Sequence, residues 1–114
     1  MKASFMALAA SLLVVGAAQA KPFLQQDLMG SWCHHTTEYA DGNQSNERAS
    51  YVFGADQQVR MQDPSYETRS RYQLKGSRLK MGALGKYSVL QLTAKQLLLK
   101  QGNGSVMYLK RGQC

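Results

Sequence analysis

The sequence predicts an all-β protein, a small eight-stranded antiparallel up-and-down β-barrel with a short N-terminal helical turn. Three observations carry that prediction. Beyond Leu28 the chain falls into short segments in which apolar and polar residues alternate, the period-two signature of half-buried strands. The links between them are brief and rich in Gly, Asn, Asp and Ser, which suits antiparallel hairpins and excludes the long crossovers of parallel sheets. A single pair of cysteines, Cys33 and Cys114, brackets the whole pattern.

Ahead of that pattern stands an export signature. Lys2 gives a positive start, Phe5 to Val15 is almost wholly apolar, and Ala18-Gln19-Ala20 puts small residues where signal peptidase reads. Residues 1–20 are therefore expected to be a cleavable signal peptide, and residues 21–114 a single soluble domain in the periplasm or the medium. The apolar run is too short for a membrane span, and no later segment approaches the ~20 apolar residues that one needs. With no cysteine at the cleavage point, no lipid anchor is expected. Loss of Lys2 leaves thirteen basic against seven acidic side chains, a net charge of +6. That excess favours acidic partners through long-range attraction. Nucleic acid is not expected, because a basic helix, a zinc-finger spacing and aromatics interleaved with Arg are all missing.

Phe23–Asp27 reads as a brief helical turn whose Phe23 and Leu24, with Leu28, are spaced to plug one end of a barrel. The eight strand segments are Met29–Tyr39, Glu47–Phe53, Gln57–Met61, Tyr66–Lys75, Arg78–Met81, Lys86–Thr93, Gln96–Gln101 and Ser105–Arg111. In the fourth, Tyr66, Thr68, Ser70, Tyr72 and Leu74 share one side, while Glu67, Arg69, Arg71, Gln73 and Lys75 share the other. In the fifth, Leu79 and Met81 oppose Arg78 and Lys80. The sixth and seventh, with Leu90-Gln91-Leu92 and Leu97-Leu98-Leu99, alternate less cleanly, through either a bulge or burial on both faces. A sheet with one apolar face must close on itself or form a sandwich, and closure also removes exposed edges.

In an exported chain an even pair of cysteines reads as a disulfide, and a small domain gains from one. In a closed barrel the start of the first strand lies beside the end of the last, where Cys33 and Cys114 fall. A redox or metal pair would call for a second cysteine two residues away.

The segment Asp27-Leu28-Met29-Gly30-Ser31-Trp32 resembles the opening of a lipocalin-like domain of the calycin group, in which Gly-x-Trp starts the first barrel strand. Tyr72 to Leu79, Tyr87 to Leu92 and Leu97-Leu98-Leu99 are similar to small bacterial members of that group. The resemblance implies a barrel-base motif of Gly30, Trp32 and Arg111, with the guanidinium across the indole; as a plain end-of-strand charge, Arg111 would instead be solvated. The group's mid-chain Thr-Asp-Tyr motif is missing and the chain is short. An open ligand cup is then less expected than an interior filled by Tyr51, Phe53, Tyr72, Leu74, Leu79, Met81, Leu97, Leu99 and Tyr108.

Catalytic apparatus is sparse. His34 and His35 are adjacent, so on a strand they point to opposite faces and cannot grip one ion in the usual way. No nucleophile elbow, zinc-protease helix or phosphate loop is present. Neither an enzyme nor a cofactor or metal is expected. Arg71, Lys75, Arg78 and Lys80 form a candidate basic surface, since a turn at Gly76-Ser77 sets Lys75 against Arg78 and Gln73 against Lys80. Asp41-Gly42 and Asn43, in the longest link, could gate a barrel mouth. The expected function is binding without catalysis, by a monomer, of a small apolar ligand or of an acidic envelope or protein partner. The alternative is an inhibitor or immunity protein that blocks an envelope-targeting enzyme with an inserted loop.

Overall fold

The computed structural model describes residues 23–114; the expected signal peptide lies outside them. A four-residue helical turn, α1 (Gln25–Leu28), leads into nine strands. These are β1 (Gly30–Glu38), β2 (Gln44–Phe53), β3 (Gln58–Gln62), β4 (Glu67–Arg71), β5 (Gln73–Lys75), β6 (Arg78–Lys80), β7 (Lys86–Leu92), β8 (Gln96–Lys100) and β9 (Val106–Arg111). A 3-10 turn, Gly82–Leu84, joins β6 to β7. All pairings are antiparallel, in the order β4-β3-β2-β1-β9-β8-β7-β6-β5. The first and last strands are neighbours, so the sheet curls into a nearly closed barrel.

Nine strands replace the expected eight because the fourth one breaks at Tyr72. Its first half, β4, ladders only with β3, and its second half, β5, only with β6. The two outermost strands of the sheet are thus successive in the chain, and the barrel closes through a covalent corner in place of a ladder. Tyr72 fixes that corner. Its N–H donates to Gln57 O (2.9 Å), its hydroxyl donates to Gly54 O (2.7 Å), and its ring meets Phe53 edge-on at 5.0 Å. The seam beside β4 is covered by the 3-10 turn, where the Ala83 N–H donates to Ser70 Oγ (3.1 Å). Gly82 there has a φ of +54°, and a Cβ at that position would collide with the Ser70 hydroxyl. Only glycine meets both demands.

Trp32, Phe53, Val59, Tyr72, Leu79, Met81, Leu97, Leu99, Met107 and Leu109 fill the interior, with Leu28 of α1 at one end and Tyr51 and Met61 toward the other. Leu74 is half-buried against this core, opposite Leu79. Tyr108 corrects the expected interior set: it lies on the outer face. The pairs Leu97–Leu109 and Leu99–Met107 take the inside, which turns the Leu98–Tyr108 pair outward, and the Tyr108 hydroxyl donates to Glu38 Oε1 (2.9 Å). Bulges interrupt β1 between His34 and Thr36 and β7 between Val89 and Gln91. The second settles the uneven alternation of that segment and leaves Leu90 about half exposed.

Candidate functional site

Three regions bear the charged and polar groups that could act: the Trp32 end, the outer face of β5–β8, and a recess at the opposite end of the barrel.

At the Trp32 end, the Arg111 guanidinium sits 3.8 Å from the Trp32 ring centroid. Its nitrogens donate to Met29 O (2.8 Å), Asp27 O (3.0 Å) and Ala94 O (3.1 Å), while the Trp32 indole N–H donates to Leu28 O (2.8 Å). The cation thus receives carbonyls at the end of α1, where the turn leaves them unpaired. Gly30 permits this, since its φ is +111° and a Cβ would stand 3.2 Å from an Arg111 nitrogen. Next to Trp32 on β1, Cys33 forms a disulfide with Cys114 at a Cα–Cα distance of 4.8 Å, and the Cys114 N–H donates to Ser50 Oγ on β2 (3.2 Å). All three Arg111 guanidinium nitrogens and the Trp32 indole N–H are bonded to backbone carbonyls, which ties this end of the barrel together.

The outer face of β5–β8 is cationic. Lys75 lies opposite Arg78 and Lys80 opposite both Gln73 and Lys86, while Arg78 faces Ser88, which in turn faces Lys100. Arg78, Lys80, Lys86 and Lys100 line one cleft of about 390 Å³ together with Tyr87, Ser88 and Gln101. Arg71 stands at the seam and shares a second cleft, of about 310 Å³, with Lys80, Gln57 and Gln73. Neither cleft is lined by a carboxylate. Lys86 and Lys100 lie outside the fourth and fifth segments and join this face only through the β6–β7 and β7–β8 ladders. A signal was available: no Asp or Glu follows Glu67, although Arg and Lys continue to Arg111. One half of the barrel therefore carries no acidic side chain. Like charges set directly opposite destabilise a sheet slightly, so Lys80 against Lys86 and Lys75 against Arg78 are a standing cost of this face.

At the far end, His34, Glu47, Tyr51, Met61, Asp63 and Tyr66 border a recess of about 410 Å³. Tyr51, Met61 and His34 are buried and make its floor. His34 Nε2 shares a hydrogen bond with Thr37 Oγ1 (2.8 Å), and burial holds its pKa below the usual histidine value. His35 bonds separately to Thr36 Oγ1 (2.9 Å). Burial likewise pushes the Tyr51 hydroxyl up, with the charges of Glu47 and Asp63 adding to that effect. Asp41, expected at a mouth gate, is occupied locally: both of its oxygens accept from Asn43. Among the described residues no group of three His, Cys, Asp or Glu is placed to hold a metal ion, and no helix is long and apolar enough to cross a membrane.

No protein-family model and no curated protein matches this sequence. Solved structures do match the fold. A lipocalin-like protein from Bacteroides uniformis superposes with a TM-score of 0.65 at 18% identity, over 75% of this chain and 99% of that one. An uncharacterized protein from Bacteroides eggerthii gives 0.64 at 15% identity, over 74% and 98% respectively. A protein from Burkholderia xenovorans, solved by NMR, gives 0.59 at 16% identity, over 82% and 92%. At these identities the likeness is one of fold, and the fold of this chain is that of a lipocalin-like barrel.

Proposed function

We propose that this protein is an exported, non-catalytic binding protein whose working surface is the outer face of β5–β8, turned toward an anionic component of the cell envelope. One observation carries the reading: Lys75, Arg78, Lys80, Lys86 and Lys100 are gathered on that face with no acidic side chain among them. The signal-like N-terminus and the disulfide support export, since disulfides persist in oxidising compartments. The packed interior argues against an apolar ligand held inside the barrel, which would need a cavity of some hundreds of cubic ångströms there. The inhibitor alternative has less to rest on. Its most suitable loop, between β1 and β2, is a tight turn closed by Tyr39 N–H to Asn43 O (2.8 Å) and Gly42 N–H to Tyr39 O (2.9 Å).

The test is co-sedimentation of the purified oxidised protein with isolated envelopes and with vesicles of anionic or neutral lipid. Binding to envelopes and anionic vesicles that fades with added salt supports the reading. Binding that ignores salt, or that is equal on neutral vesicles, overturns it. Capture by an acidic protein with no envelope binding would move the partner class while leaving the face in place.

A further inference from the structure

The recess at the end of the barrel opposite Trp32 has chemistry contrary to the rest of this basic molecule. We infer that it is a binding site for an organic cation, an alkylammonium or guanidinium group, held between the carboxylates of Glu47 and Asp63 and the rings of Tyr51 and Tyr66.

The two carboxylates are oriented and incompletely used. Glu47 Oε2 accepts from Ser45 Oγ at 2.6 Å, and the Tyr39 hydroxyl bonds Ser45 Oγ in turn (3.0 Å). Asp63 Oδ1 takes the Ser65 N–H (2.8 Å), the Ser65 hydroxyl (3.1 Å) and the Tyr66 N–H (3.0 Å). Glu47 Oε1 and Asp63 Oδ2 accept no hydrogen bond among the described residues. Among the described residues neither has an ionic partner. Among the described residues the ion pairs are those of Glu67 with Arg60 and Arg69, and Arg48, which also borders the recess, pairs with neither carboxylate. In a chain with an excess of cations, two carboxylates that line one recess without an ion pair leave room for one more.

The aromatic lining adds to this. Tyr51 is buried in the floor and Tyr66 is 57% exposed at the rim, so a cation entering from solvent would pass one ring to reach the other. Aromatic faces attract cations, and a carboxylate strengthens each hydrogen bond that it accepts from one. His34 in the floor is held neutral by burial and adds no opposing charge near neutral pH. The recess volume of about 410 Å³ suits one such group and a few methylenes. The cation could come from a free amine or from a Lys or Arg side chain of a protein partner, and both would meet the same four residues.

Calorimetric titration of the purified oxidised protein with cadaverine, and separately with a short peptide carrying a single arginine, tests the site. Saturable binding is expected, weakened about tenfold or more for each carboxylate neutralised in Glu47→Gln and Asp63→Asn. Asparagine can still accept the Ser65 and Tyr66 amides, so the turn survives. Should either carboxylate variant fold poorly, Tyr66→Ala truncates a mostly exposed side chain at the rim, and several-fold weakening is expected from it. Response to the peptide alone assigns the site to a partner's side chain, and response to cadaverine assigns it to a free amine. No saturable binding of either probe, or equal affinity in the carboxylate variants, overturns the inference. Envelope binding through β5–β8 is read separately and stands or falls without it.

Discussion

Arg111 stands over Trp32 with its guanidinium carbon 3.8 Å from the ring centroid, while its nitrogens tie α1 and the β7–β8 turn to the last strand. A single cation thus joins three segments that are far apart in sequence. Arg111→Ala is expected to cost about 1–3 kcal/mol, because three carbonyls lose a charged donor and the ring loses its cover. Arg111→Lys should recover little of this, since an ammonium cannot serve three diverging acceptors and also stack. Trp32→Ala, which empties a fully buried site, should cost roughly 3–5 kcal/mol. Urea denaturation followed by circular dichroism measures all three.

The disulfide joins residues 81 positions apart and fixes the tail after β9 against β2. Replacing Cys33 and Cys114 together by Ser is expected to cost about 2–4 kcal/mol, chiefly by freeing the unfolded chain. The urea midpoint of the variant, compared with that of the oxidised protein, gives the value directly.

Acid sensitivity should begin well above the range of the carboxylates. Burial keeps the folded-state pKa of His34 below the ordinary value of 6.5. The unfolded chain therefore binds this proton first as pH falls, and stability present above about 6.5 is lost as pH falls toward the folded value. Asp63 and Glu67, whose pKa values are lowered by hydrogen bonds from Ser65 and Arg69 respectively, act only in the lower carboxylate range. Melting temperature between neutral and mildly acidic pH should decline in the native protein and flatten in His34→Gln.

The Tyr72 corner predicts a graded response. Tyr72→Phe removes the bond to Gly54 O and should cost about 1 kcal/mol, while Tyr72→Ala also opens the core beside Phe53 and should cost about 3–5 kcal/mol. Gly82→Ala, at the seam, should be destabilising because of both its positive φ and the Ser70 hydroxyl. Thermal unfolding of the three variants ranks them.

The barrel was legible in the sequence because alternation survives even where the ladder does not. Thr68, Ser70, Tyr72 and Leu74 keep one parity straight through the corner, so nothing in the residue pattern of Tyr66–Lys75 marks the break. The break is a tertiary event, set by which neighbour each half can reach. The outward turn of Tyr108 is hidden for a different reason. Val106, Met107, Tyr108 and Leu109 are all apolar, and only the register with β8 decides which pair faces inward. Of the basic face, Lys75, Arg78 and Lys80 follow from one predicted turn, whereas Lys86 and Lys100 reach it through ladders that a local reading does not supply. The recess was illegible because Glu47 and Asp63 look like ordinary charges near turns until β2 and β3 are brought side by side.

The central claim is that the carboxylate-free face does the binding, and its most direct measurement is the salt dependence of envelope association for the native protein and for Arg78→Glu/Lys86→Glu. Exposed charges are screened over about 8 Å at physiological ionic strength, so the native association constant should fall steeply as salt rises. The double reversal should lower it by about tenfold or more at low salt and flatten the dependence, while thermal stability stays nearly unchanged because both side chains are exposed. An association constant and salt slope unchanged by the double reversal would contradict the account.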